Sequence, residues 1–352
     1  MPSISAIGRY VPVIGPAAVI AKSLAFQATM NLPLSVQRRI SGPAIVGDGQ
    51  ILAADMQMML MLKKISGEPA VEELPIPAGR VAMDRQAEIA GGVQPIGSTS
   101  DHWINGQKAR LYVPSSESPN GGLLMYIHGG GFIYGGIDSH DAACRFLAEE
   151  SGVRILSVSY RLAPEHTFPA AYEDAIAAFS YVVEHAEDFG ADRRRIGVGG
   201  DSAGGNLAAG VALAVGRKCA FQLLIYPVVD MGSQTASKTL FAEGFYLTRT
   251  FMDLAHSRYA PAVLVSDDDP RLSPLFAKVK KTTAPAFIAT AGFDPLRDEG
   301  EAYAVKLAEA GIEVDSERYE GLIHGFINIV GSGHTARAAA REIAGVLSLR
   351  LG

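Results

Sequence analysis

From residue 123 onward, short apolar runs alternate with longer amphipathic stretches. Residues 123–127 (LLMYI), 154–160 (RILSVSY), 195–198 (RIGV), 221–226 (FQLLIY), 286–290 (AFIAT) and 313–319 read as strands. Helical stretches at 141–150, 170–186 and 206–215 separate the first of them. Continuously apolar strands suit burial on both faces, and regular alternation with helices implies parallel pairing. Ahead of these, residues 110–113 and the segment near Trp103 read as antiparallel strands at a sheet edge. The pattern predicts an α/β fold with a central, mostly parallel eight-stranded sheet flanked by helices.

Two regions depart from this alternation. Residues 1–95 carry helical periodicity, including one helix over residues 49–64 (GQILAADMQMMLMLKK), with Asp48 placed to cap it and Lys63 and Lys64 near its C-terminus. Residues 230–272 form an insertion between two strands, with a helix over 249–259. Helical material carried on an N-terminal region and an insertion is expected to form a cap over a catalytic domain spanning 96–352. The stripe of Met56, Met59, Leu60 and Lys63 would then face either the core or the roof of a pocket. Residues 11–32 are strongly apolar, but Pro12, Pro16 and Lys22 interrupt them. That pattern fits neither a membrane span nor a signal peptide, so a cytoplasmic protein without stable membrane insertion is expected.

Composition narrows the function. The net charge is −6 and 48% of residues are hydrophobic. This argues against a nucleic-acid surface, and Arg193, Arg194 and Arg195, beside a strand, read as a solvated turn. Cys144 and Cys219 cannot build a disulfide framework and read as small buried hydrophobes. Without Cys/His clusters at ligand spacing, a structural zinc is not expected.

The candidate chemistry sits at strand ends. Gly200-Asp201-Ser202-Ala203-Gly204 is a G-x-S-x-G turn between a strand and a helix. The tight turn forces a strained backbone at Ser202, and its glycines let strand and helix approach. The serine is thereby lifted to a helix N-terminus as a candidate nucleophile. His128-Gly129-Gly130-Gly131-Phe132 follows another strand. Its unshielded amides suit an oxyanion hole, formed by Gly129, Gly130 and Gly131 together with Ala203. His128 reads as a ring that fixes the loop rather than as a base.

A serine nucleophile needs a histidine base and a carboxylate that orients it, in the chain order Ser, Asp or Glu, His. Of the histidines after Ser202, His256 lies inside the inserted helix and His334 near a helix start. His324 follows the last strand and is the candidate base. Asp294, just past the preceding strand, is the candidate acid, ahead of Asp298, Glu299 and Glu320.

The motifs HGGGF, YRLAPEHTFPAAYED (160–174), GDSAGG, DPLRDE and IHGF, in that order, resemble the hormone-sensitive-lipase-like (family IV) bacterial esterases of the α/β-hydrolase superfamily. The resemblance runs from about Trp103 to the end of the chain. It implies a carboxylesterase acting on short- to medium-chain acyl esters through a covalent acyl-enzyme, with Ser202, Asp294 and His324 as the triad. It also implies a helical cap and no metal or cofactor. Residues 160–174, despite Glu165 and His166, read as a structural loop. Long-chain lipase or amide hydrolase activity, or a non-catalytic ligand-binding role on the same fold, are the alternatives. The expected partner is a small-molecule ester, with a homodimer paired at a sheet edge as a further expectation.

Overall fold

The computed structural model describes residues 16–352, so the first part of the apolar stretch at 11–32 lies outside the described residues. Among the described residues four helices come first: α1 (Pro16–Met30), α2 (Leu34–Ser41), α3 (Ala54–Ser66) and α4 (Ile76–Gly91), with a small hairpin of β1 (Val46–Gly47) and β2 (Gln50–Ile51) before α3. Then follow β3 (Ser98–Ile104), β4 (Gln107–Val113), β5 (Leu123–Ile127), α5 (Asp141–Ser151), β6 (Arg154–Val158), α6 (Ala170–Glu184), β7 (Ile196–Asp201), α7 (Ala203–Val215) and β8 (Gln222–Ile225). The insertion carries α8 (Ala236–Leu240) and α9 (Arg249–Tyr259). The chain ends with β9 (Ala286–Phe293), α10 (Arg297–Glu309), β10 (Val314–Ile323) and α11 (Thr335–Leu351). Among the described residues, no helix is long and apolar enough to cross a membrane.

The eight-stranded sheet has the order β10-β9-β8-β7-β5-β6-β4-β3. Only β4 against β3 and β6 pairs antiparallel; all other neighbours are parallel. Strand alternation divides the core into two layers. On one face Leu123, Met125, Ile127 and Val198 pack against helices α6 and α7. On the other, Leu124, Tyr126, Leu223 and Ile225 pack against α5 and α11. Both faces are therefore apolar, which is why the strands read as continuous runs.

One expected element is corrected. The helix over 49–64 begins instead at Ala54, because Asp48 and Gly49 take positive φ (51° and 76°) and turn β1 into β2. Asp-Gly is favoured in such two-residue hairpin turns. Asp48 therefore caps no helix; its carboxylate pairs with Arg297 at 2.7 Å. Cys144 and Cys219 are buried free thiols.

The N-terminal helices are tied to the end of the chain by Asp55, which is wholly buried. It accepts from the backbone amides of His334 (2.8 Å) and Thr335 (2.7 Å) and from the Thr335 hydroxyl (2.9 Å), capping α11. Asp55→Ala would orphan those donors and is expected to cost about 2–4 kcal/mol. Urea unfolding followed by circular dichroism checks this, and a loss under about 1 kcal/mol would contradict it.

Candidate active site

The chemistry-bearing residues each follow a strand directly: His128 after β5, Ser202 after β7, Asp294 after β9 and His324 after β10. This places them together at the carboxyl edge of the parallel sheet, where ligands bind in such folds. Ser202 has φ 56° and ψ −119° and stands immediately before α7. The strain expected at this turn is present, and the glycines explain how it is accommodated. A Cβ on Gly200 or Gly204 would collide with the Ile127 carbonyl oxygen.

Ser202, His324 and Asp294 form one hydrogen-bonded line. His324 Nε2 is 3.0 Å from Ser202 Oγ, and Nδ1 is 2.8 Å from Asp294 Oδ2. Asp294 is fully buried, and its other oxygen accepts the Leu296 amide at 2.8 Å. A carboxylate held this way fixes the ring and its tautomer. The competing residues lie elsewhere. His256 pairs with Asp267 at 2.8 Å, and His334 sits at the start of α11. Asp298 accepts from Ser237, Glu299 pairs with Lys238 at 2.7 Å, and Glu320 is exposed.

The glycine loop differs from expectation in one respect. The Gly129 amide donates to Asp201 Oδ1 at 3.0 Å, so it is already taken. The amides of Gly130, Gly131 and Ala203 have no partner among the described residues. Gly130 and Gly131 take φ of 118° and 60°, which glycine adopts without penalty. His128 holds the loop as expected. Its Nδ1 lies 2.9 Å from the Gly129 carbonyl, and its ring stacks on Tyr160 with centroids 4.3 Å apart. Burial, reinforced by the neighbouring His140, pushes its pKa down to about 4, so the ring is neutral at physiological pH.

Sequence reasoning passes over Asp201, His140 and Tyr126, which cluster beneath this loop. The available signal was Asp201 itself, a carboxylate ending the buried run IGVGGD, where a charge requires a partner. The segment 160–174 is structural. Arg161 holds Asp174 through paired bonds, Glu165 pairs with Arg80 at 2.7 Å, and the Tyr160 hydroxyl donates to the His128 carbonyl.

A cavity of about 360 Å³ opens onto Ser202. Its walls include Phe26, Met59, Leu62 and Met83 from the N-terminal helices and Tyr246 and Phe251 from the insertion. Of the stripe on α3, Met59 and Lys63 line this cavity, and Met59 also joins Met56 and Leu60 in the core. A smaller space of about 90 Å³ also reaches Ser202, bounded by Phe132, Val228, Met231 and Met252.

A parallel sheet presenting a serine on a strained strand-to-helix turn, beside a histidine and a buried carboxylate, defines the α/β hydrolases. The family profile described as alpha/beta hydrolase fold matches residues 124–328, and the chain belongs to that family. Within it, the chain is a hormone-sensitive-lipase-like carboxylesterase. It is 42% identical over 336 residues to carboxylic ester hydrolase LipN of Mycobacterium tuberculosis, covering 91% of this chain and 89% of the relative. Ethyl acetate hydrolase of Pseudomonas putida is 40% identical over 227 residues, covering 62% and 71% respectively. An ester hydrolase from the Lake Arreo metagenome, solved with a bipyridine phosphonate derivative, superposes with a TM-score of 0.81. It shares 41% identity over 85% of this chain and 98% of that one.

Proposed function

We propose that Ser202, His324 and Asp294 hydrolyse short- to medium-chain acyl esters through a covalent acyl-enzyme. The observation that carries this reading is the unbroken line Asp294–His324–Ser202 opening on a cavity beside three unpartnered amides. His324 takes the Ser202 proton as Oγ attacks the ester carbonyl. The resulting oxyanion is held by the amides of Gly130, Gly131 and Ala203. His324 then returns the proton to the leaving alcohol, freeing it and leaving the acyl-serine. Water attacks that ester with His324 again as base, and the acid is released with Ser202 restored. The N-terminal helices and the insertion serve as a helical cap, since both line the cavity.

The substrate range follows from the enclosure. A cavity of about 360 Å³ is near the lower end for small-molecule sites, which favours short and medium acyl groups. In a series of p-nitrophenyl esters from acetate to palmitate, kcat/KM is expected to peak between butyrate and octanoate. It should fall by about tenfold or more at palmitate, as a group exceeding the enclosure loses well over 1.4 kcal/mol. A maximum at palmitate that rises further on emulsion would instead identify a long-chain lipase. The proposal includes a cytoplasmic location, which the two free thiols suit. It also includes a homodimer through the edge strand β10, checked by light scattering.

A further inference from the structure

Asp201 lies next to the nucleophile in sequence and is almost wholly buried, as is His140. A bare carboxylate there would oppose negative charge developing on a substrate oxygen. The structure sets two donors and an imidazole nitrogen against it. Tyr126 donates its hydroxyl to Asp201 Oδ1 at 2.9 Å, and the Gly129 amide donates to the same oxygen at 3.0 Å. His140 Nε2 stands 3.1 Å from Oδ1 and 3.4 Å from Oδ2. The other face of the imidazole is also engaged, with Nδ1 2.9 Å from Ser139 Oγ and 3.3 Å from the Gly136 carbonyl.

We propose that the buried His140–Asp201 pair positions the oxyanion donors. By accepting the Gly129 amide, Asp201 anchors the loop so that the next two amides turn toward the substrate. His140 supplies the positive charge that lets this carboxylate sit beside Ser202 without opposing the oxyanion. The inference rests on the reading of Gly130, Gly131 and Ala203 as the oxyanion site.

Three observations support it besides the distances. A Cβ on Gly129 would stand 2.6 Å from Asp201 Oδ2, so the carboxylate and loop backbone are in direct apposition. The Gly130 carbonyl accepts from the Tyr134 amide at 2.9 Å, which fixes the far side of the same turn. The directions in which the two groups are shifted also suit the role. Burial works against a proton on His140, yet Asp201 outweighs it and holds the His140 pKa above its ordinary value. Burial likewise works against the Asp201 anion, but His140, with Tyr126, holds its pKa below the usual carboxylate value. The other titratable groups facing this imidazole are Asp84 of α4 and His128 of the loop, the latter with ring centroids 5.7 Å away.

The test compares wild type with His140→Phe and His140→Gln in purified full-length protein. Each is assayed for kcat and KM on p-nitrophenyl butyrate and for inhibition by a trifluoromethyl ketone, which mimics the tetrahedral adduct. His140→Phe is expected to lower kcat by about 30- to 300-fold, approaching the loss of one oxyanion donor. KM should stay within about threefold, and inhibitor affinity should fall in proportion to kcat. His140→Gln keeps a donor near the Nε2 position and is expected to recover part of that loss. A folded His140→Phe enzyme with near-normal kcat overturns the proposal, as does a loss confined to KM. Should His140→Phe fail to fold, Tyr126→Phe decides. It removes one donor to Asp201 and is expected to lower kcat about 3- to 10-fold at constant KM, whereas unchanged kcat overturns the proposal. Failure of wild type to form a Ser202 adduct with a fluorophosphonate would instead overturn the underlying assignment of the nucleophile.

Discussion

Ser202→Ala is expected to lower kcat on p-nitrophenyl butyrate by about 10⁵- to 10⁶-fold while leaving the fold intact. Among the described residues no other hydroxyl takes part in the line to His324, and the methyl group fits where Cβ already stands. The residual rate would come from the oxyanion amides and from substrate binding alone. Asp294→Asn is expected to cost about 10⁴-fold. Its amide can donate to Nδ1 and hold the ring in the wrong tautomer, with the proton on Nε2 facing Ser202. Combining the two should cost little more than Ser202→Ala alone, because residues that act as a unit do not add. Steady-state kinetics with mass-spectrometric screening for wild-type contamination checks all three. A Ser202→Ala enzyme keeping more than about a hundredth of wild-type kcat would contradict the covalent mechanism.

The second large effect is structural. Gly204→Ala is expected to abolish folding or to cost more than about 4 kcal/mol. The added Cβ would collide with the Ile127 carbonyl and stand 2.7 Å from the His128 oxygen. Both belong to the backbone at the end of the central strand β5, which is held on either side by β6 and β7, so neither can yield. Gly345→Ala in α11 is the control. Its Cβ would meet nothing within 4 Å, and alanine should stabilise the helix by about 0.5–1 kcal/mol. Thermal unfolding of the two variants side by side distinguishes them, and similar melting temperatures would refute the steric account of the nucleophile turn.

These contrasts explain what was legible in the sequence. Ser202, Asp294 and His324 were readable because each sits one residue beyond a strand, where local turn chemistry and chain order constrain the choice. Helix α9 was readable to its ends because Thr248 caps it through a local bond to the Phe251 amide. The start of α3 was not, because apolar periodicity runs on through the Asp48-Gly49 turn and masks it. Gly129 looked the same as its two neighbours. What separates it is a carboxylate 72 residues away, and no spacing rule reports that contact. The partnership of His140 with Asp201 was hidden for the same reason. Cavity volume was also out of reach, since it depends on how α1, α3 and the insertion meet over the sheet.

The contact made by Asp55 has a consequence for the order in which the molecule is completed. The residues that cap α11 through this carboxylate come 279 and 280 positions later in the chain. During synthesis the helices that wall the cavity emerge first, yet the donors of α11 that their buried acid accepts appear only when almost the whole chain has been made. The helices made first and the helix made last are therefore joined by a contact that only a nearly finished chain can form.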